Sequence, residues 1–219
     1  MCSINHDKKA IFIHIPKNGG SYIASLLSKN YGFKNYYLKR PDHKEFCLGL
    51  DKSVDKHENK IHGTLIYYKT SPHLNKIMNM NEQKWNNYHI FSFTRNPYDR
   101  IVSGWNYVNK YNIPFDKFIN IYTNSNCYDY WHVFMTQKRH IIDVNGLLRT
   151  DYLGKFENME DDLKIILEKI GFKNINHKPF KKNSKSHNDY KTYYNNEILE
   201  KVNFILKEDI ESFDYEKLS

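Results

Sequence analysis

Short Ile- and Phe-rich runs alternate with amphipathic stretches along this chain. Ala10 to Pro16 (AIFIHIP) is apolar and too short for a helix, which predicts a buried strand. A turn at Lys17 to Gly20 follows. Ile23, Leu26 and Leu27 then share one face of a helix from about Ser21 to Lys29, stopped by Asn30 and Gly32. Residues 33–60 are charged, broken by Pro41 and Gly49, and read as loop with room for one short element. The stretch from His62 to Asn81 is ambiguous and predicts a short helix before Trp85. A second strand is expected from Tyr88 to Thr94. Asn96 suits an N-cap and Pro97 the first helical position after it, and the helix Tyr98 to Tyr111 carries Ile101, Val102, Trp105 and Val108 at helical spacing. Short helices fit Phe115–Ile121 and Tyr130–Gln137, and a third strand fits Tyr152–Phe156. An amphipathic helix opens at Asn158 and closes at Gly171, a basic loop spans Lys178 to Lys185, and a last helix runs from Asn195 to Phe213. Strands alternating with helices predict an α/β fold with a central parallel sheet. The 219 residues suit a single domain covering the whole chain.

Composition adds a direction. The net charge is +8, from 33 Lys and Arg against 25 Asp and Glu, which favours an anionic partner or simply a Lys-rich solvated surface. The basic residues are spread along the chain and form no nucleic-acid-binding motif. The three cysteines, Cys2, Cys47 and Cys127, have no C-x-x-C spacing, which argues against a zinc site; a Cys47–Cys127 bridge stays open beside reduced thiols. No run approaches the roughly 18 apolar residues of a membrane span, and the first residues lack a signal-peptide pattern. The expectation is a soluble, cytoplasmic chain, with a lumenal domain that has lost its anchor as the other possibility.

Two segments carry candidate chemistry. In Ile15-Pro16-Lys17-Asn18-Gly19-Gly20-Ser21-Tyr22 a strand ends, two glycines follow and a helix begins. Such a turn offers backbone N–H groups at a positive helix end, with the Lys17 charge and the Ser21 hydroxyl beside them. The order is not that of a Walker A loop, where Lys follows the last Gly. The second segment, Thr94-Arg95-Asn96-Pro97-Tyr98-Asp99-Arg100-Ile101-Val102-Ser103, ends a strand in Arg where a kinase or GTPase would carry an Asp near Mg²⁺. Lys17 and Arg95 without a metal carboxylate suit a polyanion held directly by cations. A surface ion pair is the competing explanation for Arg95 and suits Arg100 better, with Asp99 beside it.

Together, IPKNGGSY and FTRNPYDRIVSGW resemble the sulfotransferases that use 3′-phosphoadenosine 5′-phosphosulfate (PAPS), in the branch containing heparan-sulfate 2-O- and chondroitin-type carbohydrate enzymes. YLGKFENMEDDL, SHNDYKTYY and DIESFDYE extend the likeness over about residues 10–215, with Lys155 where that family usually has Arg. The resemblance implies a three-layer α/β/α, P-loop NTPase-like fold and no required metal. It implies a 5′-phosphosulfate site at Lys17, Asn18, Gly19, Gly20, Ser21 and Tyr22, a 3′-phosphate site at Arg95 and Ser103, and adenosine 3′,5′-bisphosphate as product. The acceptor implied is a carbohydrate hydroxyl. His62, in His62-Gly63-Thr64, falls where this branch often has a His and is the proposed general base, with Lys17 the second catalytic residue; Thr64 stands where some relatives have another His. His14 reads as a core residue, and His73, His132, His140 and His187 are weaker candidates. Part of Lys181 to Lys185 fits either the 3′-phosphate or solvent. The alternatives are a non-catalytic nucleotide- or polyanion-binding module of this fold and a P-loop-type nucleotide kinase.

Overall fold

In the computed structural model, Ala10–Ile13 (β2) and His89–Thr94 (β6) lie side by side and parallel, with Phe12 opposite Phe91. Tyr152–Lys155 (β7) joins β6 on its far side, also parallel, with Phe93 opposite Gly154. The structure describes residues 1–39, 60–61, 64–108, 112–124, 135–177 and 189–219. Its described residues form two compact units. The first holds residues 1–39, 60–61, 64–94 and 137–177, and the second residues 95–108, 112–124, 135–136 and 189–219.

The first unit is built on the sheet, whose class is as the sequence predicts and whose edge goes beyond it. Cys2–Asn5 (β1) pairs antiparallel with β2, and Lys34–Tyr36 (β3) pairs antiparallel with β1, so the order is β3-β1-β2-β6-β7. The parallel centre thus carries an antiparallel edge, and the sheet is mixed. Within residues 33–61, where the sequence reads as loop with one short element, β3 and a two-stranded ladder of Leu38–Lys39 (β4) with Lys60–Ile61 (β5) are strands, while 40–59 lie outside the described residues. The first strand is also shorter than expected: it ends at Ile13, and His14, Ile15 and Pro16 lie beyond it.

Gly20–Asn30 (α1) and Met159–Lys169 (α7) cover one face of this sheet. Ala10, Phe12, Phe91 and Phe93 meet Ile23, Ala24, Leu27, Leu163, Ile166 and Leu167 there, all within 4 % of complete burial. Burying a side chain of this size stabilises by about 1.5–3 kcal/mol, so this layer is a principal source of the unit's stability. The ambiguous stretch from His62 to Asn81 holds two short helices before Trp85, Leu65–Thr70 (α2) and Pro72–Met78 (α3), and Glu82–Asn87 (α4) carries Trp85 itself; their side-chain caps are Thr64, Ser71 and Asn81.

In the second unit, Pro97–Val108 (α5), Phe115–Asn124 (α6) and Asn196–Ser212 (α8) share a core of Tyr98, Ile101, Val102, Phe118, Ile119, Val202 and Leu206. Asn195 caps α8 by accepting from the Ile198 N–H at 2.9 Å. The predicted helix at Tyr130–Gln137 falls largely outside the described residues; a single 3-10 turn at Lys138–His140 follows it in the first unit.

Candidate functional site

The turn between β2 and α1 has the backbone of an anion receptor. Lys17 and Gly19 both lie in the left-handed region, at φ 70° and 73°, with Asn18 between them outside it. Alternation of this kind points successive N–H groups into one concavity. A left-handed non-glycine residue is strained, and Lys17 carries that strain at this turn. Gly19 is the N-cap of α1 and supplies no capping side chain, and the first turn of α1 holds no Asp or Glu. The first turn of α7, by contrast, carries Glu160, Asp161 and Asp162. The positive end of α1 is therefore left without a neutralising carboxylate of its own, as a bound anion requires.

The predicted residues of this turn divide by what they touch. Lys17 is half-buried and Ser21 exposed. Asn18 is 1 % exposed, and its side chain is committed inward: Nδ2 donates to the Phe93 carbonyl and to Gln137 Oε1, each at 2.7 Å. It ties the turn to the end of β6. Gly19 is required by its φ, and a Cβ there would also overlap Met159 and come within 3.1 Å of Phe156. Tyr22 is half-buried and donates to Glu160 Oε1 at 3.4 Å; burial first, then the Glu160 carboxylate, push its phenol up to about 12.

Arg95 and Ser103 belong to the second unit. Asn96 caps α5 through its Oδ1, which accepts from Tyr98 N–H at 3.0 Å and Asp99 N–H at 3.3 Å, with Pro97 the first helical residue. Arg95, Asp99 and Ser103 then fall four residues apart along one stripe. Arg95 is 6 % exposed and its Nε donates to Asp99 Oδ2 at 2.7 Å. Asp99 thus pairs with Arg95. Arg100, expected as a surface cation, is 1 % exposed and donates to the Met135 carbonyl at 3.0 Å. Arg95 is thus a buried, oriented cation, and Ser103 is a half-buried hydroxyl two turns along.

His62 and the basic loop Lys178 to Lys185 lie outside the described residues, as do His132, His187, Cys47 and Cys127. His14 is buried, as expected of a core residue; His73 is exposed on α3 and His140 fully buried. Cys2 is a free, buried thiol that burial pushes up to about 12. Among the described residues no helix is long and apolar enough to cross a membrane. Sequence reasoning missed Gln137 and Glu160, which brace the turn and Tyr22; neither lies in a motif assigned to the site, and only the folded chain brings them there.

Comparison with known proteins adds the family. A family model described as "Sulfotransferase family" matches residues 2–216. No curated protein and no solved structure matches the chain.

Proposed function

The chain belongs to the sulfotransferase family, and from that premise we propose that it transfers a sulfuryl group from PAPS to a hydroxyl of a carbohydrate acceptor. The observation that carries this reading is the β2–α1 turn, where left-handed Lys17 and Gly19 open a helix end that no acidic side chain of its own first turn neutralises.

The residues present fit a donor with anionic groups at both ends. Lys17 and the first N–H groups of α1 would hold the 5′-phosphosulfate and stabilise the charge that develops on the phosphate oxygen. The Ser21 hydroxyl, exposed at the same turn, adds a donor. Tyr22, whose one hydroxyl proton goes to Glu160, would brace the turn from beside it. Arg95, aimed by Asp99, and the Ser103 hydroxyl would take the 3′-phosphate, the group that distinguishes this donor from ATP-like nucleotides. His62 would accept the proton of the attacking hydroxyl. PAPS, when bound, supplies the activated sulfuryl group. The kinase alternative lacks support at the ends of β2 and β6, where Lys precedes the glycines and Arg stands in place of an acidic metal ligand. The branch resembled and the +8 charge support a carbohydrate, and an acidic one in particular.

The test is transfer of labelled sulfate from PAPS onto desulfated glycosaminoglycans, with tyrosyl peptides and simple phenols beside them. The expected result is label on the polysaccharide, reduced about 100-fold or more by Lys17→Ala. Label on peptide or phenol alone would overturn the acceptor class. No transfer to any acceptor, with PAPS still bound, would favour the non-catalytic module.

A further inference from the structure

The turn rests on a side chain that takes no part in the chemistry above. His14 follows β2 directly and is 4 % exposed. Its backbone N–H donates to the Met1 carbonyl at 3.2 Å, and its ring stacks on Phe12 with centroids 6.4 Å apart and planes 15° from parallel. The ring edge formed by Cγ, Cδ2 and Nε2 is turned to Gly20, the first residue of α1, and a Cβ built on Gly20 would overlap that edge. The two glycines of the motif therefore serve different needs. Gly19 is required by its left-handed backbone. Gly20 has no such φ; it is glycine because the imidazole occupies the space its side chain would need.

We propose that His14 is a positioning residue for the anion site, the floor against which the Gly20 backbone is held, and that it thereby sets the direction of the first N–H groups of α1. The proposal rests on the reading of this turn as an anion receptor and not on the identity of the donor. A flat ring fixed by Phe12 on one side and by the Met1 carbonyl through its own backbone has little freedom to yield. An aliphatic side chain at the same place would leave the turn free to sink. An anion site built from N–H groups depends on their aim, and a displacement of about 1 Å can cost about 100-fold.

The experiment follows the backbone amide resonances of positions 20 and 21 in each protein. The titrants are inorganic sulfate and, separately, adenosine 3′,5′-bisphosphate. The proteins are wild type, His14→Ala, His14→Phe, Gly20→Ala and the double variant His14→Ala/Gly20→Ala. The expected result is that His14→Ala stays folded and weakens both ligands about tenfold or more. His14→Phe, which keeps a flat ring beside Gly20, holds affinity close to wild type. Gly20→Ala loses binding or folding, and the double variant, in which the ring no longer meets the new methyl, regains what Gly20→Ala loses. Unchanged affinity in His14→Ala, or a double variant no better than Gly20→Ala, overturns the proposal. Turn amides in the wild type that respond to neither ligand overturn it together with the anion-site reading. A bisphosphate that binds no more tightly than sulfate, with the His14 effect intact, sinks the PAPS assignment and leaves His14 in its role.

Discussion

Tyr22 illustrates how a single residue of the turn reports on its setting. Its phenol sits above its ordinary value of 10, at about 12, through burial and the neighbouring Glu160 carboxylate. A raised value in the folded state means that folding favours the protonated phenol. The corresponding stability is fully present below pH 10 and is lost as pH rises through about 12. Tyr22→Phe should therefore remove one component of the alkaline decline. Urea denaturation at a series of pH values from about 9 to about 12 should show a shallower fall in the variant than in wild type. The other tyrosines with raised values, Tyr36, Tyr88, Tyr98 and Tyr194, are common to both proteins, so the difference reports on Tyr22 and on Tyr31, which is coupled to it. Identical slopes would contradict the placement of Tyr22 against Glu160.

At the scale of elements, the strand–turn–helix unit at β2 and α1 is held from inside by Asn18. Its amide satisfies the Phe93 carbonyl and Gln137 at once, so Asn18→Ala should lower stability by about 1–3 kcal/mol, read from the denaturation midpoint, and weaken sulfate binding as the turn loosens. Unchanged stability would mean that the turn is held by its flanking elements alone. This unit was legible in the sequence because three signals coincide there: an Ile-rich run, two glycines and a 3.6-residue apolar repeat. The strand β6 and its helix α5 were legible for the same reason, through Asn96 and Pro97. The antiparallel strands β1 and β3 were not. β1 is four residues long, its polar Ser3 and Asn5 are buried, and the turn that joins it to β2, His6 to Lys9, contains no Gly or Pro; Lys9 itself takes the left-handed position, at φ 49°. Pairing with neighbours, which local pattern does not encode, makes β1 and β3 strands. The burial of Arg100 was not readable for a related reason: pattern does not show the Met135 carbonyl that Arg100 reaches.

Across the whole molecule, alternation of strand and helix was enough to give the α/β class, and two motifs, each at the end of a strand that leads into a helix, were enough to give the family. The division into two compact units was not readable, because hydrophobic spacing says which residues are buried and not against what. The proposed function has the chain hold a nucleotide through its 3′-phosphate as well as its 5′ end. Calorimetric titration of wild type and Arg95→Ala with adenosine 3′,5′-bisphosphate and with 5′-AMP, in magnesium and in EDTA, tests it directly. The expected result is that wild type binds the bisphosphate at least about tenfold more tightly than 5′-AMP, equally with and without magnesium, and that Arg95→Ala abolishes the preference. Equal affinity for the two nucleotides in wild type would contradict it.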